Sequence, residues 1–183
     1  MIVWRTFYQS ALEEMARYSE VPVVNALTDD YHPCQVLADL LTIADHTGGL
    51  AASGPALAGR TLAYVGDGAN NMAHSYLLGG ALAGMDVHIG APQGFQPRPD
   101  ILARAAAIAE KTGASVNVFT DPVHAVVGAD AVATDTWVSM GQEEEAQARE
   151  APFVPYRLDG DLLAQADPNA VVLHCLPAYR GKE

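Results

Sequence analysis

Cysteine, positive charge and long apolar runs are all scarce in this chain of 183 residues, and each scarcity closes off a class of protein. Two cysteines, Cys34 and Cys175, cannot build a disulfide framework, so a reducing cytosol is the natural setting and a cytoplasmic location is expected. Ten Lys and Arg stand against 22 Asp and Glu, giving a formal charge of −12. That balance argues against a surface that gathers nucleic acid through phosphate contacts, and any anionic ligand would have to be held by local donors. The acidity itself reads as solubility. The apolar runs are too short to cross a bilayer and no basic-then-apolar leader opens the chain, so neither a membrane span nor a signal peptide is expected. What is present in quantity is apolar material: half of the residues are hydrophobic and 17% are charged, enough for a core and without a compositional sign of disorder. The length suits one α/β domain, or one domain with a piece of another.

Apolar periodicity predicts a helix over 7–19, with Leu12, Met15 and Ala16 on one face, feeding a strand at 22–26. A second helix is expected over 33–47, where Val36, Leu37, Leu40, Leu41, Ile43 and Ala44 make a face broad enough for burial on more than one side. Pro33 suits its first turn, Gly48 and Gly49 its end, and His32 stands at its N-terminus. Residues 50–59 turn to Ala, Ser, Gly and Pro and read as a surface connection. Beyond it the period is regular: strand 60–66, helix 70–83, strand 85–90, helix 99–112, strand 115–119, a short helix 121–128 and strand 130–134, with 171–174 as a fifth strand. This alternation implies an α/β fold, a parallel sheet with helices on both faces. Glu143, Glu144 and Glu145 read as one solvated helix face. Ile2-Val3-Trp4 reads as a strand with no partner before it, and no terminal helix follows the last strand, so material is expected to be missing at both ends.

Four polar clusters fall where strands end. His174-Cys175-Leu176-Pro177-Ala178 follows the last strand, Gly66-Asp67-Gly68-Ala69-Asn70-Asn71 follows 60–65, Asp135 to Gly141 follows 131–134, and His32-Pro33-Cys34-Gln35 lies beyond 21–26. In open α/β sheets the carboxyl edge is where ligands bind, and four clusters on one edge point to a site assembled from distant parts of the chain. Each has an ordinary reading as well. Cys175 can be a small apolar core residue, Asn70 a helix cap, Asp135 an Asx turn, and His32 and Gln35 capping or core-facing groups. The glycine turn at 66–71 is superficially like a dinucleotide fingerprint, but the third glycine is absent, and two carboxamides at a helix N-terminus suit a substrate carboxylate better. Asp135 suits an ammonium group on a small ligand. His46, His74, His88 and His124 form no pair at metal-ligand spacing, so neither metal nor cofactor is expected.

Taken together, HPCQ at 32–35, GDGANN at 66–71, DTWVSMG at 135–141 and HCLPAYRG at 174–181 resemble the aspartate/ornithine carbamoyltransferase family, on its ornithine branch, over essentially the whole chain. The aspartate branch is similar at HP-x-Q but carries a different amino-acid-binding loop and a proline where this chain has Cys175. The resemblance implies two α/β domains, one for carbamoyl phosphate and one for the amino acid. On that basis residues 1–30 would be a remnant of the first, 31–49 an interdomain helix and 50–183 most of the ornithine domain. It further implies that His32 and Gln35 bind the carbamoyl group, that Asn71, Asp135, Ser139 and Met140 bind ornithine, and that Cys175 and Leu176 line the point where the substrates meet. The implied reaction gives citrulline and phosphate, with His32 as an oxyanion donor and with Cys175 and Asp135 positioning the amine and helping to take its proton. The family's anion-holding Ser-Thr-Arg-Thr-Arg loop and further arginines are expected to lie outside this chain. The 183 residues alone are then expected to be inactive, and the homotrimer implied for the intact protein would form through the first domain. The open alternatives are a carbamoyltransferase for putrescine or acetylated ornithine, and a non-catalytic amino-acid-binding module.

Overall fold

Strands form where apolar runs are short and uninterrupted, and helices where the run lengthens and its period changes. The computed structural model describes residues 1–48, 57–137 and 146–183. Strand β1 (Ile2–Arg5), helix α1 (Gln9–Tyr18), strand β2 (Val23–Leu27) and helix α2 (Pro33–His46) come first, and β1 pairs with β2 in parallel. The partner missing before β1 in the sequence thus follows it in the chain. Then come β3 (Thr61–Val65), α3 (Asn71–Leu82), β4 (Asp86–Gly90), α4 (Pro99–Thr112), β5 (Val116–Phe119), α5 (Pro122–Val126), β6 (Ala131–Thr134), α6 (Ala146–Phe153), α7 (Gly160–Leu163) and β7 (Val171–His174). Among the described residues no helix is long and apolar enough to cross a membrane.

The main sheet is parallel throughout, in the order β5-β4-β3-β6-β7. Its central strands β3 and β6 are almost wholly buried, as expected of strands covered on both faces. Leu62 and Tyr64 point into one apolar cluster with Met72, Tyr76, Leu77 and Val87, while Ala63 and Val65 point into the other with Val132, Ala125 and Leu162. The chain runs from β3 outward to β5, then returns to β6 on the other side of β3. That reversal is a topological switch point, and the crevice it opens lies at the carboxyl ends of β3 and β6.

Helix α3 fills the space between this crevice and α2, and most of its residues are buried. Gly79 and Gly80 make the approach possible: a Cβ at Gly79 would come within 2.5 Å of Val36 on α2, and one at Gly80 within 2.5 Å of Val87 on β4. On α1, which packs on β2, Leu12 is buried and Met15 is exposed. On α2 Val36, Ile43 and Ala44 are buried against α3 and the main sheet, whereas Leu37 and Leu41 are exposed. The buried residues of α2 thus form one stripe, while its first turn also meets β2, where Cys34 Sγ–H donates to the Asn25 carbonyl at 3.3 Å.

Candidate functional site

A cavity of about 520 Å³ opens at the switch point, lined by Arg5, Thr28, His32, Asp67, Asn71, Phe95, Asp135, Cys175 and Leu176 among others. Apart from Phe95, in the loop between β4 and α4, these side chains arrive close to the end of a strand or the start of a helix. His32 is the N-cap residue of α2, Asn71 opens α3, Asp135 follows β6 and Cys175 follows β7. Five of the residues singled out from the sequence, His32, Asn71, Asp135, Cys175 and Leu176, are thereby brought together. Gln35 is not among the lining residues; it lies further along α2 with its carboxamide nitrogen donating to Asp39 Oδ1 at 3.0 Å. Ser139 and Met140 lie outside the described residues.

The N-terminus of α3 is pinned by its own side chains. Asn70 Oδ1 accepts from the Ala73 N–H at 2.9 Å, which is the expected cap, and Asn70 Nδ2 donates to Tyr64 Oη at 2.8 Å. Asn71 turns the other way and donates to the Thr28 carbonyl at 2.8 Å. Ser75, one turn on, accepts from the His32 N–H at 2.8 Å and donates to the Asn71 carbonyl at 2.6 Å. One hydroxyl therefore sets His32 and Asn71 relative to each other across two helices.

At the other wall the Cys175 Sγ–H donates to Asp135 Oδ1 at 3.2 Å, and the Thr136 N–H donates to the same oxygen at 2.7 Å. Asp135 is 7% exposed. Burial pushes its carboxyl above the ordinary range, opposed by those two donors. Burial, and then the neighbouring Asp135 charge, push the Cys175 thiol strongly up, so it carries its proton at neutral pH. Burial and then Arg5 lower His32, which leaves its imidazole neutral at pH 7. His32 Nδ1 is sealed from solvent without a partner among the described residues. A sealed N–H is costlier than a sealed lone pair, so we assign the proton to Nε2, as a donor.

The chain bends sharply after β7: Leu176 has φ 55°, a left-handed conformation that a branched residue rarely adopts, and the Leu176–Pro177 peptide is cis. The Leu176 N–H donates to His174 Nδ1 at 2.8 Å. Asp135, His174 and Cys175 place their ligand atoms within 4.8 Å of one another, the kind of donor set that a soft divalent cation takes. Here each is engaged otherwise, Cys175 Sγ–H on Asp135 and His174 Nδ1 on the backbone.

Several residues of this site were passed over in the sequence. Arg5, at the end of β1, lines the cavity beside His32, so a cation does enter the site from this chain and the expectation that its arginines all lie elsewhere is corrected. Ser75 had a signal, its i+4 spacing from Asn71 on a helix. Thr28 contributes a backbone carbonyl, which no side-chain pattern announces.

The chain matches the family described as aspartate/ornithine carbamoyltransferase, Asp/Orn binding domain, over residues 58–183, and the carbamoyl-P binding domain of the same family over residues 1–45. Among curated proteins it is 59% identical over 182 residues to an ornithine carbamoyltransferase of Bifidobacterium longum subsp. infantis, covering 100% of this chain and 56% of that protein. Among solved structures it superposes on ornithine carbamoyltransferase from Gloeobacter violaceus with a TM-score of 0.86 and 48% identity, covering 98% of this chain and 57% of that one. Against ornithine carbamoyltransferase from Pyrococcus furiosus the TM-score is 0.90 at 40% identity, with 99% of this chain and 55% of that one covered. The chain spans about half the length of the curated relatives it matches.

Proposed function

The chain belongs to the aspartate/ornithine carbamoyltransferase family, and from that premise we propose that a full-length protein containing it transfers the carbamoyl group of carbamoyl phosphate to the side-chain amine of ornithine. The observation that carries this reading is the single cavity in which His32, Asn71, Asp135, Cys175, Leu176 and Arg5 meet from distant parts of the chain. Arg5 supplies charge for an anion. His32, neutral with Nε2–H facing outward, donates to the carbamoyl oxygen. The neutral amine attacks the carbamoyl carbon, the carbonyl electron pair moves onto oxygen, and its return expels phosphate, which takes the proton lost by nitrogen. The donor at oxygen stabilises the tetrahedral species.

Asp135 holds the ammonium of the amino acid through the oxygen that Cys175 leaves open, and Asn71 presents its carboxamide to the carboxylate. A thiol that keeps its proton is a donor, so Cys175 fixes Asp135 and does not remove the amine proton. Leu176, exposed on its left-handed backbone, lines the cavity beside Cys175, where the two substrates meet. Ser139 and Met140 complete the amino-acid side, Gln35 serves the carbamoyl group, and no cofactor is called for. We place residues 1–30 in the carbamoyl phosphate domain, 31–49 in a helix joining the domains and 50–183 in the ornithine domain of a cytoplasmic, trimer-based enzyme. The test is a citrulline assay on the full-length protein: product from ornithine with carbamoyl phosphate supports the reading, and turnover of putrescine or acetylated ornithine in its place rejects it.

A further inference from the structure

Behind His32, Gln35 of α2 leans on a buried pair, Asp39 of α2 and Tyr76 of α3, to which the mechanism gives no task. Asp39, 5% exposed, sits one turn after Gln35 on α2 and faces Tyr76 of α3, which is 1% exposed. Tyr76 Oη–H donates to Asp39 Oδ2 at 2.6 Å, and Gln35 Nε2 donates to Asp39 Oδ1 at 3.0 Å. Two charge-assisted bonds to one carboxylate are strong, and an apolar face would have filled this space without their desolvation cost. Gln35 is partly exposed, and its Oε1 accepts nothing from the described residues.

A carboxamide has two chemically opposite ends, and a carboxylate can only accept. Asp39 therefore fixes Gln35 with its NH₂ end inward and its carbonyl end outward, three residues along the helix from His32. A carbamoyl group has the same two ends, an oxygen that needs a donor and an NH₂ that needs an acceptor. His32 Nε2–H supplies the donor; the outward Gln35 Oε1 supplies the acceptor. We propose that Asp39 and Tyr76 are positioning residues that fix the polarity of the Gln35 carboxamide and hence the orientation in which the carbamoyl group is held. This rests on the carbamoyl-transfer reading above. The Asp39 charge is also among those felt at both His32 and Cys175.

The polarity argument gives a test that packing alone does not reproduce. In Asp39→Asn, Tyr76 Oη–H takes the new carboxamide oxygen, the Asn NH₂ faces Gln35, and Gln35 must turn its oxygen inward, leaving donor against donor at the carbamoyl NH₂. The expected result is a KM for carbamoyl phosphate raised about ten- to a hundredfold, with the KM for ornithine changed far less. Tyr76→Phe alone is expected to raise the carbamoyl phosphate KM only a few-fold. In the double variant the Asn side chain is free to rotate its oxygen back towards Gln35, so KM should recover most of the way to that of Tyr76→Phe. A purely structural role predicts the opposite, a double variant worse than either single one with KM tracking Tm, and that outcome overturns the proposal. The same variants are read by NMR on the Gln35 side-chain amide protons, which should be shifted downfield by the carboxylate in the unsubstituted protein and lose that shift in Asp39→Asn. Amide signals indifferent to Asp39→Asn overturn the proposal whatever the enzyme does. Absence of citrulline from the unsubstituted protein, with the amide signals behaving as described, rejects the carbamoyl-transfer reading and not the fixed polarity of Gln35.

Discussion

Replacing Asp135 with Asn should make Cys175 react faster with thiol reagents, because the charge being removed sits 3.2 Å from the sulfur. The thiolate is the reactive form, and both burial and Asp135 suppress it. A unit charge at that separation alters thiol ionisation by about 1.3 kcal/mol at the dielectric of water and about 5 kcal/mol at an effective value near 20, or about one to four pKa units. A thiolate of lower pKa is a weaker nucleophile, with a slope of about 0.4–0.5, so the net acceleration is about three- to two-hundredfold. The assay is a stopped-flow titration with an aromatic disulfide at pH 8 in a Cys34→Ser background, which removes the exposed second thiol. In the parent protein Cys34 should react first and Cys175 slowly, although Cys175 lines the cavity. Unchanged or slower labelling of Cys175 in Asp135→Asn would refute the account of this pair.

Cys175→Ala takes away one of the two donors to a carboxylate that is 7% exposed, and a bond to a charged group of about 1.5–3 kcal/mol predicts a fall in kcat/KM of about ten- to a hundredfold with little change in Tm; normal kinetics with a clear loss of Tm would make Cys175 a core residue. Gly68→Ala would bring a Cβ to 2.9 Å from both Ala91 Cβ and the Phe95 carbonyl oxygen, an overpacking of about 1–3 kcal/mol that should lower Tm by roughly 2–12 °C in a thermal melt. Acidification should destabilise the fold through His32 and His74, whose folded values both lie below the ordinary 6.5. The folded protein binds fewer protons than the unfolded chain as pH drops below 6.5, so their contribution is complete above that value and is lost as pH falls towards their folded values. Asp39 and Asp135, with folded values above 3.8, act in the opposite sense, favouring the folded state as they protonate. Melts at pH 7.5, 6.5 and 5.5 should therefore show a falling Tm whose slope flattens in His74→Gln; an identical slope would remove His74 from the explanation.

The parts of this molecule legible in the sequence are those encoded locally. Apolar runs such as Leu62 to Val65 and Ala131 to Ala133 have no polar residue to interrupt them and can only be buried strands. Asn70 announces a helix start through its own side chain, and strand ends followed by Gly, Asp, Asn or His mark the edge on which the cavity opens. What stayed hidden depends on pairings between distant residues. Ser75 meets His32 across 43 positions and Asp39 meets Tyr76 across 37, and neither residue is unusual in its own helix. Asp39 in the middle of an apolar stretch carried a faint signal, since a buried acid needs a partner, but not which one. Arg5 is a strand residue among apolar neighbours until the β1–β2 pairing turns it towards His32. Helical periodicity says which residues share a face and not how much of that face meets a neighbour, so on α2 Val36, Ile43 and Ala44 are buried while Leu37 and Leu41 are exposed.

The most direct measurement is citrulline release by a full-length protein containing this chain, supplied with ornithine and carbamoyl phosphate and compared with its His32→Ala variant. The cavity account predicts citrulline and phosphate in equal amounts, and a drop of about a hundred- to a thousandfold in kcat when the His32 donor is removed. Equal turnover by the His32→Ala variant, or no citrulline from the parent protein, would contradict it.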